Sequence, residues 1–430
     1  MIRPAPRLLL LTAVVALPSL TIAGIVPGLS VWVGAILLLG IAAAAWDANR
    51  AKSAIRGWTV TAPPDLRWFQ NRQVQFRFQV AHAVDSKASA RFYVALPHGV
   101  RFDDEPIFVD SSPAECTVDC TPLERANLNV SVCHVEAVSP WRLWRVVEQR
   151  TLDTSIRVYP DLRHERAAEL LITRSPLGIH HQRQLGKGRE FEKLRDYLPG
   201  DSFEDIHWKA TARRSRPVVK VFQVERTQEV YAVIDSSRLS LRSGILNRYV
   251  NAALILALAA EAQGDRFGLA SFSATVDRFV PAGAGKLHFG TCRESIYALQ
   301  ARAATPDLSD VFSFLHVRLR KRALIVFLMS LDDPALAETF ARDIHVLAGR
   351  HLVLVNVPQE REVAPLFTGN SPANDEEVYA RLAGHLEWRR IQELRTALHR
   401  QGVRLTIADP ARLPEQIARQ YLDIKQRQIL

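Results

Sequence analysis

The sequence predicts an α/β protein: a doubly wound sheet in its C-terminal half, preceded by a transmembrane helical hairpin and a small antiparallel β-sandwich. Three patterns carry this reading. Leu8 to Ile25 and Leu29 to Trp46 are almost wholly apolar, each about long enough to cross a ~30 Å hydrocarbon core as a helix. Val74, Phe76, Phe78 and Val80 alternate with Gln73, Gln75, Arg77 and Gln79, the period of a strand with one wet face. From about residue 230, apolar strands alternate with helical segments, which implies a largely parallel sheet with helices on both sides. The implied domains are 1–48 for the hairpin, 57–160 for the sandwich, 161–226 for a segment dense in charged and aromatic residues, and 227–430 for the α/β region.

Length and charge bound the rest. A chain of 430 residues has room for about two or three domains. Its hydrophobic fraction of 48% and charged fraction of 23% are ordinary for folded protein. The net charge of +10 suits an anionic bilayer or a nucleic acid. The basic residues are scattered, however, with no RNA-binding aromatic signature and no finger spacing, so a membrane surface is expected and nucleic acid is not. Cys116 and Cys120 are spaced C-x3-C and Cys133 precedes His134. That falls short of the paired four-ligand pattern of structural zinc, and small packed residues are the expectation for all four cysteines, Cys292 included.

The two apolar runs are joined by an uncharged turn with Pro27 and Gly28. A helical hairpin meets the demand of a bilayer that backbone hydrogen bonds close internally. A signal peptide would explain only the first run; the second follows at once. Arg3 and Arg7 precede the pair, and Arg50, Lys52 and Arg56 follow it. Positive-inside logic then places both ends, and the body, on the cytoplasmic side of the inner membrane, where structural disulfides are not expected. Trp32 and Trp46 are placed for the two interfaces.

Phe92, Val94 and Leu96, then Leu128, Val130 and Val132, then Leu152, Ile156 and Val158 repeat the strand pattern between turn residues, the mark of a small sandwich. No catalytic constellation lies in it, so it reads as a spacer or interaction domain. Trp141 and Trp144 belong either to its core or to a contact patch.

The stretch from Gly188 to Arg226 follows neither a helical nor a strand period. It still carries Phe191, Tyr197, Phe203, Trp208 and Phe222, which a disordered linker would lack. Pro199-Gly200 dictates a tight turn, and Asp201 is placed to cap a short helical turn through Trp208. Arg195, Lys209, Arg213 and Arg226 can pair with Asp196, Asp201 and Glu225. A charge network that fixes local geometry and a docking surface for a partner protein are both open readings. Catalysis is not expected. His207-Trp208-Lys209 has histidine where a nuclease-like carboxylate-x-Lys unit would have an acid. There is also no phosphate loop, nucleophile elbow or His-Glu-x-x-His.

In the α/β region, strands are predicted at 230–235, 266–272, 276–280, 324–329, 352–357 and 403–408. Helices are predicted at 245–263, near 288–301, 308–320 and 335–349, at about 375–401, and, as the last, through Tyr421 and Lys425. Ala252 to Ala260 is apolar enough to be buried and too short to span a bilayer. Leu324 to Met329 is a continuous apolar run, the mark of a central strand. Ligands of such sheets sit at the carboxyl ends of strands, where this chain has Asp235-Ser236-Ser237-Arg238-Leu239-Ser240.

Leu194-Arg195-Asp196-Tyr197, Pro199-Gly200-Asp201, Trp208-Lys209, Ala212-Arg213 and Glu225-Arg226 together resemble the signature of domain-of-unknown-function family fifty-eight. That resemblance implies a von Willebrand factor A-like domain, association with MoxR-type AAA+ ATPases, and a non-enzymatic, membrane-anchored adaptor role in protein maturation or complex assembly. A structural envelope scaffold without an ATPase partner is the alternative, and a metal-dependent hydrolase a more distant one. Von Willebrand factor A domains hold a divalent cation through Asp-x-Ser-x-Ser, a Thr and a further Asp. By that resemblance Asp235, Ser237, Thr305 and Asp332 are the candidate Mg2+ ligands, Mg2+ being a hard cation that favours oxygen. The fifth motif position is Leu239, with Ser240 one place late, and Asp332 is displaced from where the second Asp belongs.

Overall fold

The structure is a computed structural model that describes residues 1–25, 30–83, 89–103, 105–165, 185–198, 202–223, 227–241, 244–358, 363–366 and 374–427. The chain divides into two compact units, Met1–Asp161 and Leu162–Leu430.

In the first unit the helical residues Pro6–Leu11, Thr12–Ala16 and Leu17–Ile25 follow a short strand, Ile2–Pro4, and a long helix occupies Ser30–Arg56. The turn at Pro27 and Gly28 lies outside the described residues. Among the described residues two helices are long and apolar enough to cross a membrane: Val31–Arg56, whose apolar window is 6% buried, and Ile245–Ala262, whose window is 61% buried. The second owes its composition to a core position, as its burial shows.

The Ser30–Arg56 helix changes surroundings along its length. Val31, Trp32, Ile36, Leu38, Leu39 and Ile41 are exposed, whereas Ala51 and Ile55 are buried in the β core. That core lies between two sheets. One joins Ile2–Pro4, Trp144–Tyr159, Asn127–Val138, Ala90–Val94 and Ile107–Val109 in that order; the other joins Trp58–Thr61, Val74–His82, Ala114–Pro122 and Val100–Phe102. Phe76, Phe78 and Val80 point inward as their alternation predicts, and Leu152, Ile156 and Val158 do the same. Leu96 falls just beyond its strand. In Asn127–Val138 the buried set passes from Val130 to Cys133, Val135 and Ala137, so the alternation set by Leu128, Val130 and Val132 changes phase mid-strand. Among the described residues the strands pair antiparallel, except that Asp65–Phe69 runs parallel to Trp144–Tyr159. A long intervening connection permits such pairing, and local periodicity does not reveal it.

The four cysteines are free and buried. Burial raises the thiols of Cys116, Cys120 and Cys292 to about 11 and that of Cys133 to about 12, which keeps them protonated and unreactive.

The second unit is mixed α/β. Its six-stranded sheet runs in the order Val276–Gly283, Arg266–Phe272, Glu229–Asp235, Ala323–Leu328, Leu352–Pro358, Arg404–Ala408. All neighbours are parallel except the Val276–Gly283 edge strand. Val230, Ala232 and Ile234 face a cluster with Tyr249, Leu256 and Tyr421; Tyr231 and Val233 face Phe312, Phe327 and Phe340. Helices Ile245–Ala262 and Leu413–Gln426 thus contribute to one core, and Leu308–Arg318 and Pro334–Asp343 to the other. The segment predicted as one helix at 335–349 is two, Pro334–Asp343 and His345–Ala348. Gly268 pairs with Tyr231 across the ladder, and a Cβ there would lie 2.3 Å from the Tyr231 ring. A side chain is excluded so that the tyrosine hydroxyl can accept from Ala282 N at 3.0 Å.

At the amino edge of the sheet, the buried Asp265 carboxylate accepts from Tyr421 Oη at 2.6 Å, Lys425 Nζ at 2.5 Å and Gln228 N at 3.1 Å. It ties the last helix to the start of the central strand. Removing one partner of a buried charged pair leaves the other charge uncompensated. Asp265→Ala should therefore destabilise the α/β unit by about 3–5 kcal/mol, read as a lowered midpoint of its transition in urea.

Candidate functional site

Asp235 ends the central strand and is fully buried. Its Oδ1 accepts from Ser237 N at 2.8 Å, while Oδ2 is buried without a hydrogen-bond partner. Ser236 Oγ donates to Phe272 O and Ser240 Oγ to the Asp235 carbonyl, at 2.8 and 2.7 Å. The late serine thus closes the loop on its own strand. Ser237 Oγ accepts from Leu239 N at 3.4 Å. The segment before Thr305 is docked on this loop: Arg302 N donates to Ser236 O at 2.8 Å, and Arg238 N to Ala304 O at 3.0 Å. Thr305 itself is exposed. Asp332 is half-buried, with its N–H on Ser330 Oγ at 3.3 Å. Its neighbour Asp333 caps helix Pro334–Asp343 and binds the Arg238 guanidinium at 2.5 Å.

The sequence reading missed Tyr249. Its hydroxyl is buried with no hydrogen-bond partner. Burial, and then the negative charges of Asp235 and Asp332, hold its pKa well above the usual value. The two carboxylates named as candidate ligands therefore both act on one phenol from the helix beneath. Ser271 Oγ and Asn356 Nδ2, buried near the carboxyl ends of flanking strands, also have no partner. The signal available in the sequence was a lone tyrosine in a largely apolar helix, which reads equally well as core.

The signature segment forms regular structure that its residue pattern concealed. Leu185–Asp196 pairs antiparallel with Val218–Gln223, with Arg195 opposite Val219 and Asp196 opposite Val218. Register shifts after Leu185 and after Phe191 break the two-residue period, so no alternation is visible in the sequence. Helix Trp208–Arg214 begins at Trp208 rather than passing through it, and His207 Nδ1 caps it by accepting from Ala210 N at 3.1 Å. Pro199, Gly200, Asp201, Glu225 and Arg226, including the cap expected of Asp201, lie outside the described residues. Tyr197 packs on Phe203 with ring centroids 5.9 Å apart. Asp196 pairs with Arg216 at 3.0 Å, a partner the sequence reading did not name. Ile206, Val218 and Val219 are buried, whereas Leu198, Phe203 and Trp208 are exposed, Phe203 by 74% and Trp208 by 69%. Lys209, Arg213 and Arg214 are exposed beside them in sequence.

Residues 193–409, just over half of the chain, match the family described as "Protein of unknown function DUF58". The chain belongs to the DUF58 family. Among curated proteins it is 28% identical over 224 residues to the uncharacterized proteins Mb1516 of Mycobacterium bovis and Rv1480 of Mycobacterium tuberculosis, covering 49% of this chain and 69% of each relative. Among solved structures it is similar to the conserved hypothetical protein BatB from Bacteroides thetaiotaomicron, at 11% identity and TM-score 0.28, over 46% of this chain and 99% of that one. WR4, a C. elegans MSP family member, matches at 10% identity and TM-score 0.17, over 24% of this chain and 97% of that one.

In this DUF58 protein burial raises the Asp235 carboxyl to about 6, against the lowering effect of its Ser237 bonds. A cation would draw on the partnerless Oδ2 and on Asp332; Ser237 Oγ is already engaged with the loop, and Thr305 has no contact that aims it there. Among the described residues no group of three or more His, Cys, Asp or Glu side chains converges. The oxygen donors that fit a hard cation here are these two carboxylates.

The sign of the pH effect follows from the raised pKa. The folded state holds the Asp235 proton more tightly than the unfolded one between about pH 4 and 6. Stability therefore falls as pH rises through that window, by about 3 kcal/mol at most. Asp235→Asn should remove this slope and raise the melting temperature of the α/β unit at pH 7.5. Mg2+ should stabilise the wild type at pH 7.5 and leave Asp235→Asn unmoved, as read by calorimetry.

Proposed function

We propose that this DUF58 protein is a non-enzymatic adaptor anchored in the inner membrane, with its body in the cytoplasm. In this reading it engages a MoxR-type AAA+ ATPase during maturation or assembly of client proteins. The observation that carries the reading is the exposure of Leu198, Phe203 and Trp208 beside Lys209, Arg213 and Arg214. Large apolar side chains left in solvent next to arginines have the composition of binding hot spots. Among the described residues of that segment no acid, base and nucleophile converge.

The parallel sheet order supports a von Willebrand factor A-like, doubly wound arrangement for the α/β unit, with the Asp235 loop where such sheets place ligands. Mg2+ at Asp235 would then be a second element of partner binding, completed by an acidic side chain of the partner. Anchoring is supported by the exposed apolar Val31–Arg56 helix. It is also supported by the attachment of both ends of the N-terminal apolar segment to one sheet of the β unit, at Ile2–Pro4 and at Ala44 to Ile55. A segment that leaves and returns at one place is what a helical hairpin requires.

The test is affinity capture from the native membrane in mild detergent with Mg2+ and ATP, followed by mass spectrometry. Wild type should capture an AAA+ ATPase. Trp208→Ala should weaken that capture by about 30-fold, the factor for a hot-spot loss of ~2 kcal/mol, with the melting temperature unchanged. Capture lost in Asp235→Asn as well would place the cation in the interface. Good recovery of wild type without any ATPase would leave the scaffold reading instead.

A further inference from the structure

The root of the N-terminal apolar segment is built on the loop joining strands Asn127–Val138 and Trp144–Tyr159. On one limb, Ile2–Pro4 pairs antiparallel with Trp144 to Val146, and Ala5 N donates to Leu143 O at 2.8 Å just before helix Pro6–Leu11 begins. On the other limb, Trp144 Nε1 donates to Ala44 O at 2.8 Å, and Asp47 Oδ1 accepts from Trp141 N at 3.2 Å. The loop is internally fixed: Ser139 Oγ accepts from both Leu143 N and Trp144 N at 3.0 Å. Arg142 takes a left-handed backbone, φ 58°.

So held, the loop turns apolar and cationic groups outward. Val138 and Trp141 are exposed, and Arg142 and Arg145 with them. The Trp141 ring lies 5.3 Å from the Trp46 ring, and the Arg50 guanidinium lies 4.8 Å over Trp46. Trp46 is itself exposed and follows the apolar Val31 to Ala45 run without a break in the helix. Trp46 thus joins that exposed run to the loop touching it. Tryptophan favours the boundary between hydrocarbon and headgroups, its ring apolar and its N–H polar. Arginines there meet phosphate oxygens.

We propose that the 138–145 loop is a second, non-helical membrane contact, with Val138 and Trp141 at the hydrocarbon–headgroup boundary and Arg50 and Arg142 on anionic phospholipid headgroups. This rests on the reading that the apolar segment enters the bilayer. The contact would set the angle of the β unit on the membrane, because the loop is clamped to the helix on one side and carries the sheet on the other.

The test uses the full chain reconstituted in vesicles of phosphatidylcholine alone or mixed with phosphatidylglycerol. Val138→Cys carries an environment-sensitive fluorophore. The native cysteines are buried, and Phe108→Cys, exposed on the strand at the far edge of the same sheet, is the control. Flotation that resists carbonate reports anchoring independently. The expected result is a blue-shifted label at 138, quenched by spin-labelled lipid chains, with a water-like label at 108. The shift should be larger with phosphatidylglycerol, and that increment should vanish in Arg50→Gln/Arg142→Gln. Trp141→Ser should return the label at 138 toward its water value while flotation persists. A floating protein with a water-like label at 138 overturns the proposal and leaves the anchor standing. A label shielded but not quenched by lipid assigns the patch to protein and also overturns it. An equal shift in both lipids overturns the headgroup contact. Failure to float overturns the anchor and the proposal together.

Discussion

Burial of both faces of the parallel sheet is the constraint on which the α/β unit depends. Strand Glu229–Asp235 is hydrogen-bonded along both edges and packed on both sides. A strand so placed has no wet face on which to carry polar chemistry, so polar groups are confined to its two ends. The two ends are used differently. At the amino edge, Asp265 accepts from Tyr421, Lys425 and the Gln228 backbone N–H, which closes the sheet against its last helix. At the carboxyl edge, Asp235 Oδ2, Tyr249 Oη, Ser271 Oγ and Asn356 Nδ2 are buried and unsatisfied. Buried polar atoms without partners are costly, and burial of the two apolar layers offsets that cost.

The Asp235 loop shows how one residue of offset changes a site. With Leu239 at the fifth motif position and packed against the core, the next hydroxyl, Ser240, bonds the Asp235 carbonyl. It stabilises the loop instead of facing a ligand. Arg238 bridges from the same loop to Asp333, the cap of helix Pro334–Asp343. The loop is thus held by its own hydroxyl and by an ion pair to a neighbouring helix.

In the Met1–Asp161 unit the Ser30–Arg56 helix is the corresponding element. Its first half is apolar and exposed, and its last turns enter the β core through Ala51 and Ile55. Arg150 joins the helix end to the next strand, donating to Ile55 O in the last turn and to Trp58 O in strand Trp58–Thr61, both at 2.9 Å. One continuous helix therefore couples an apolar outer segment rigidly to a folded sheet.

Much of this was legible in the sequence, because it depends on local period and composition. The Val74–His82 alternation and the strand–helix order after residue 229 correspond to elements of the structure within a few residues, and the apolar runs lie in helices, the second of which continues past Trp46 to Arg56. Asp235 and Ser237 were also visible as a strand-end motif. What the sequence left open depends on contacts between distant residues. The bulged pairing of Leu185–Asp196 with Val218–Gln223 hides its own period, and the Asp65–Phe69 strand finds a parallel partner some ninety residues away. Tyr249 joins Asp235 and Asp332 only when a helix packs beneath the sheet edge. Trp141 meets Trp46 only when a loop of the sandwich seats on the helix. Hydrophobic period is a property of neighbouring residues and survives in the linear chain, whereas the partner of a polar or aromatic side chain is chosen by packing and exists only in the folded protein.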